Sequence, residues 1–209
     1  MITIIDYGMG NLRSVQKAFE RIGRKAVISC DRQKISGASL AVLPGVGAFD
    51  AAMGNLGRLG LIEPIKKYIT SGRPFLGLCL GLQVLFESSE EGGAEGLGLL
   101  KGRVKKFGAG AGLKIPHMGW NRVKRGGGPC SRQSGKIFKG IKDESYFYFV
   151  HSFYVEPDYE SIISGATLYG KEFASCVLCG NIFATQFHPE KSQENGLKLL
   201  RNYADYTGN

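Results

Sequence analysis

Over the first 86 residues, short apolar runs alternate with stretches whose apolar residues recur every three or four positions, and this alternation constrains the fold more than any other feature. Ile2-Thr3-Ile4-Ile5, Ala26-Val27-Ile28, Leu40-Ala41-Val42-Leu43 and Phe75-Leu76-Gly77-Leu78 read as buried strands. Leu12, Val15, Phe19 and Ile22 share one helix face, with Asn11 at the N-cap and Gly23 where that helix should stop. Leu61, Ile65 and Tyr68 repeat the spacing, and 80–87 reads as a further helix. The alternation predicts an α/β fold: an open, mostly parallel central sheet with helices on both faces.

After Gly92 the texture becomes β-rich. Segments 104–107, 121–123, 146–155, 162–168, 173–178 and 182–187 are strand-like, and 192–206 reads as a closing helix capped by Ser192. The glycine-rich 108–112 and 126–128 read as flexible turns. At roughly 150 residues per domain, 209 residues fit a single domain over 1–209.

The most apolar stretch, 74–86, is broken by Gly77, Gly81 and Gln83 and is too short to cross a bilayer, so no membrane partner is expected. The N-terminus lacks the basic start of a secretory leader, and the five cysteines are an odd number; reduced thiols in the cytoplasm are the expectation. The net charge of +9 suits an anionic partner but selects none, and the basic residues form no aromatic-interleaved motif, so nucleic acid is not expected.

Gly77-Leu78-Cys79-Leu80-Gly81 sets a cysteine between two glycines, after a strand and before a helix. That is the glycine spacing of a nucleophile elbow with sulfur in place of oxygen. The tight turn strains the nucleophile's backbone, and the glycines let strand and helix approach. The helix dipoles favour a thiolate at Cys79, and the Leu80 amide is free to donate toward a developing oxyanion. A small buried cysteine is the competing reading.

Of His117, His151 and His188, the last is best placed as the base. In an extended chain Glu190 would face the same side roughly 6–7 Å away, with Pro189 limiting its return. Glu190 could hold one ring nitrogen while the other takes the thiol proton. A polar strand end is the competing reading of His188-Pro189-Glu190.

Pro44-Gly45-Val46-Gly47, Gly77-Leu78-Cys79-Leu80-Gly81-Leu82-Gln83 and Gln186-Phe187-His188-Pro189-Glu190-Lys191-Ser192 together resemble the class I, triad-type glutamine amidotransferases. Asp6-Tyr7-Gly8-Met9-Gly10-Asn11-Leu12, Pro116-His117-Met118-Gly119-Trp120-Asn121 and Tyr148-Phe149-Val150-His151-Ser152 narrow the resemblance to the glutaminase subunits of imidazole glycerol phosphate synthase, the HisH family. The blocks span almost the whole chain in the family's order. The resemblance implies the class I glutamine amidotransferase fold, with Cys79 as nucleophile, His188 as general base and acid, and Glu190 as the third member. It further implies that Gly45, Val46 and Gly47 supply a backbone N–H to the oxyanion hole, that Gln83 helps hold glutamine, and that His151 and Ser152 border the glutamine pocket mainly through backbone.

Sulfur and imidazole do the covalent and proton work, so no cofactor or metal is expected. The ammonia would pass to a β/α-barrel cyclase subunit, forming a heterodimer that makes imidazole glycerol phosphate and an aminoimidazole carboxamide ribotide in histidine biosynthesis. Asn11, Met118, Trp120 and Lys191 flank the expected site and are candidates for the docking face; a core position is the competing reading of Trp120. Glycines at 45 and 47 permit a peptide flip, which would keep this strand end inactive until the partner binds.

Cys176-Val177-Leu178-Cys179, upstream of His188, loosely resembles zinc-ligand spacing, but thiols three apart on a strand face opposite sides. The elbow also suits a non-catalytic binding subunit or another cysteine hydrolase. The same glutaminase chemistry could feed a different barrel, such as one in surface-sugar biosynthesis.

Overall fold

The computed structural model describes residues 1–108, 113–126 and 131–206; positions 109–112 and 127–128 of the glycine-rich turns, and Cys130, lie outside the described residues. The first part of the chain runs β1 (Ile2–Ile5), α1 (Leu12–Arg21), β2 (Ala26–Ser29), α2 (Arg32–Ser36), β3 (Leu40–Gly45), α3 (Phe49–Arg58), α4 (Ile62–Thr70), β4 (Phe75–Cys79) and α5 (Leu80–Gln83). There follow β5 (Ser88–Ser89), β6 (Gly102–Lys106), β7 (His117–Arg125), α6 (Ser131–Ile137), β8 (Ser145–His151), β9 (Phe153–Pro157), β10 (Ile163–Tyr169), β11 (Lys171–Cys179), β12 (Ile182–Thr185) and α7 (Gln193–Tyr206). Single 3-10 turns lie at Glu160–Ile162 and Pro189–Lys191.

The strands join in the order β2-β1-β3-β4-β12-β11-β10-β7-β8, with β9 linking β11 to β6. The first five run parallel. From β12 through β8 the pairings are antiparallel. The sheet is therefore mixed: a parallel centre, as the strand–helix alternation predicts, extended by the antiparallel C-terminal half.

Alternation along each central strand builds two cores. On β3, Leu40 and Val42 face one side, where α1 and α7 present Val15, Phe19, Leu199, Leu200 and Tyr203. Ala41 and Leu43 face the other, covered by Ile35, Phe49, Leu56, Ile65 and Tyr68 of α2, α3 and α4. Each large apolar side chain so buried stabilises the fold by about 1.5–3 kcal/mol. Asn11 caps α1 as expected, its side chain accepting from the Ser14 N–H at 3.3 Å, and Gly23 follows with φ +78°. Among the described residues, no helix is long and apolar enough to cross a membrane.

Four expectations are corrected. The helix read over 80–87 stops at Gln83, because the carbonyls of Val84, Leu85 and Phe86 are taken by the N–H groups of 97–100. The strand read over 146–155 breaks at Ser152, where pairing with β7 gives way to pairing with β6 and β11. The chain is not extended from His188 to Glu190 but turns there in a 3-10 helix, for which the fixed torsion of Pro189 is suited. The Ser192 hydroxyl does not cap α7. It accepts from the Tyr148 N–H and donates to the His188 carbonyl, at 3.0 and 2.6 Å. Helices α2, α3 and α6 were not anticipated; α3 carries Gly54 and Gly57, which weaken its propensity, yet Phe49, Met53 and Leu56 mark its buried face.

Candidate active site

Strand β4 ends on Cys79, whose φ of 55° and ψ of −107° lie in a region that side chains rarely adopt. Close approach of α5 to the sheet enforces this bend. A Cβ on Gly81 would stand 1.8 Å from the Leu43 carbonyl oxygen, and one on Gly77 would stand 2.7 Å from the Gly81 oxygen. Only glycine lets the helix start this near the strands. The thiol is 6% exposed. Gln186 Nε2 donates to Sγ at 3.6 Å, and the Val150 carbonyl lies 3.9 Å from it, which brings the end of β8 to the sulfur.

His188 is fixed by β8, its N–H donating to the Tyr148 carbonyl at 2.9 Å. The 3-10 turn folds Glu190 back so that its Oε1 meets His188 Nδ1 at 2.7 Å, with both side chains buried. Since a carboxylate only accepts, Nδ1 carries the proton of this bond. That leaves Nε2, which is buried and has no hydrogen bond of good geometry among the described residues. Burial disfavours the imidazolium. The negative charge at Cys79 and its hydrogen bonding, followed by the hydrogen bond and charge of Glu190, outweigh burial and push His188 up to about 10. Cys79 and His188 are thus electrostatic partners.

A second polar chain supports the thiol. The Phe153 carbonyl accepts from Gln83 Nε2 at 3.1 Å and pairs with His151 Nδ1 at 2.7 Å. A carbonyl cannot donate, so His151 is protonated on Nδ1 and accepts at Nε2 from His117 Nδ1, 2.9 Å away. His117 Nε2 in turn accepts from Asn121 Nδ2 at 3.2 Å. Burial lowers His117 to about 4 and His151 to about 3, so both rings are neutral at pH 7. Gln83 Nε2 also donates to Gln186 Oε1 at 3.1 Å, which fixes the amide that reaches Sγ. Sequence reasoning assigned no role to Gln186; the available signal was a long polar side chain directly after the mostly apolar run 182–185, where the structure buries it.

Gly45 pairs with Cys79 across the β3–β4 ladder, so Val46 and Gly47 leave the sheet directly beside the thiol. Gly47 has φ +103° and Val46 is 39% exposed. Leu80 opens α5, and Ser152 follows β8, its carbonyl accepting from Phe107 N–H. Met118 and Trp120 on β7 are 62% and 46% exposed, so Trp120 is not a core residue. Its ring meets Tyr148 edge-on at 6.0 Å, and Lys191 Nζ lies 5.8 Å from the same Tyr148 ring. Asn11 is exposed at the start of α1. Cys176 packs in one core and Cys179 against the other, on opposite sides of β11.

The family model for class-I glutamine amidotransferases matches residues 3–205. The chain is 52% identical to the imidazole glycerol phosphate synthase subunit HisH of Rhodopirellula baltica, over 98% of this chain and 97% of that protein. It is 49% identical to the subunit of the same name from Moorella thermoacetica, over 98% and 94%. Among solved structures, a glutamine amidotransferase superposes with a TM-score of 0.74 at 17% identity, covering 100% of both chains. PurLQS from Thermotoga maritima gives a TM-score of 0.71 at 20% identity, covering 98% and 97%. A thiol on a strained strand-to-helix turn, a buried imidazole–carboxylate pair, and this extent of identity lead to one conclusion: the chain belongs to the class-I glutamine amidotransferase family, among its HisH members.

Proposed function

We propose that this chain is the glutaminase subunit of imidazole glycerol phosphate synthase, with Cys79 as nucleophile, His188 as general acid and base, and Glu190 as the group that orients it. The observation that carries this reading is the buried His188–Glu190 contact of 2.7 Å, which commits Nδ1 and leaves Nε2 to the sulfur. The Cys79 thiolate attacks the side-chain carbonyl carbon of glutamine, and the carbonyl oxygen becomes an anion facing the N–H groups of Leu80 and residues 45–47. As the C–N bond breaks, His188 gives its proton to the departing nitrogen, releasing ammonia and leaving a γ-glutamyl thioester. His188 then takes a proton from water, whose oxygen attacks the thioester; glutamate leaves and the thiolate–imidazolium pair is restored. Gln186 contacts the sulfur and is held in turn by Gln83, which the resemblance places beside the bound glutamine, and the 150–152 backbone borders the space where glutamine would lie.

Ammonia released into water at pH 7 is protonated and lost as a nucleophile, which favours direct delivery to a cyclase docked over the site. Met118, Trp120 and Val46 are exposed apolar residues on strands or strand ends that run to the site, and Lys191 and Asn11 are exposed as well. Trp120→Ala is expected to weaken cyclase binding by about thirtyfold, measured by calorimetric titration, as befits a large aromatic at an interface centre. Glutamate release is expected to be slow for the isolated chain and faster with cyclase; equal rates would remove the switch assigned to residues 45–47.

Glu190→Gln is expected to lower kcat about a hundredfold. The sign of its pH effect follows from charge. Glu190 favours the imidazolium, so its loss lowers the His188 pKa, and the alkaline limb of the kcat/KM profile moves to lower pH. An unmoved limb would separate Glu190 from the proton transfer.

A further inference from the structure

Tyr7 is a buried polar group that the reaction above leaves unused. It follows β1, lies in the same hydrophobic core as Ile5, Leu43 and Leu80, and is 0% exposed. Its hydroxyl is sealed from water and has no hydrogen-bond partner among the described residues. Phenylalanine would fill the same space without stranding a donor, so a hydroxyl here calls for an explanation. Its position is specific. A Cβ on Gly45 would lie 2.5 Å from Tyr7 Oη and 2.8 Å from Leu80 Cβ, so Oη rests against the Gly45 backbone where β3 is in register with Cys79. Burial, then the negative charge at Cys79, hold the phenol well above its ordinary value, which keeps it a donor across the working pH range.

We infer that Tyr7 is a positioning residue for the glutaminase reaction, its hydroxyl donating to a backbone carbonyl of residues 45–47 in the reacting state. The inference rests on the reading of 45–47 as oxyanion donors. In a planar trans peptide the N–H and C=O point in opposite directions, so turning an N–H toward the oxyanion turns its carbonyl away from it. A carbonyl turned into the core needs a donor, and Tyr7 Oη is a free one packed against this strand end. Because the bond forms only as the peptide turns, it stabilises the reacting state and not the resting one.

The test is Tyr7→Phe in the complex with cyclase, with Cys79→Ser as the blank. The expected result is a fall in kcat for glutamate release of about tenfold, the worth of one hydrogen bond, with KM for glutamine unchanged and the melting temperature equal or higher. An unchanged kcat overturns the inference while the glutaminase reading stands. A fall in kcat accompanied by a lower melting temperature overturns it too, since that is damage to packing. If the unaltered complex releases no glutamate, the glutaminase reading itself fails and this inference falls with it.

Discussion

Cys79→Ser is expected to lower glutamate release by about 10⁴-fold or more, with the fold intact. The exchange is nearly isosteric at a 6% exposed position, so the strained turn and the Gln186 contact remain, and what changes is the proposed nucleophile. His188 is raised by its charge interaction and hydrogen bonding with Cys79, and an alcohol at that position supplies no such charge. The variant should still bind cyclase, and turnover of the complex supplied with ammonium salts should persist while glutamine-dependent turnover is lost. Loss of both would point to a structural role for the thiol; retention of glutamine-dependent turnover would end the proposed mechanism.

The second large effect concerns stability. Gly81→Ala places a Cβ 1.8 Å from the Leu43 carbonyl oxygen and 2.9 Å from its carbon, both backbone atoms of a central strand that cannot swing aside. Either α5 lifts from the sheet or β3 shifts, and the destabilisation is expected to reach about 3 kcal/mol. For a chain of this length that lowers the melting temperature by about 6–12 °C. Gly54→Ala is the matched control. It lies in α3 with nothing within 4 Å of the added Cβ, and it is expected to stabilise by about 0.5–1 kcal/mol. A Gly81→Ala protein as stable as the parent would mean that the tight helix–strand approach does not set the elbow. In that variant glutaminase activity should fall as well, because α5 carries both the Leu80 amide and Gln83.

The local code of this chain was legible wherever short-range physics decides the outcome. Short apolar runs placed the central strands and a period of 3.6 placed α1, and Asn11 and Gly23 bound that helix because capping depends on a few neighbouring residues. The glycine spacing around Cys79 marked the elbow for the same reason. Long-range pairing was not legible: that 97–100 would cut α5 short, or that 146–155 would break at Ser152 to serve two neighbours, follows from partners distant along the chain. Burial was likewise a tertiary matter. Only the folded chain exposes Trp120, commits Gln186 to the sulfur, buries the Tyr7 hydroxyl with no hydrogen-bond partner among the described residues and turns Glu190 back onto His188 by a 3-10 turn. Residue order dictates which side chains are available and which turns they permit. The distances between them, and therefore the charges they hold, arise when the sheet brings strand ends together and excludes water from them.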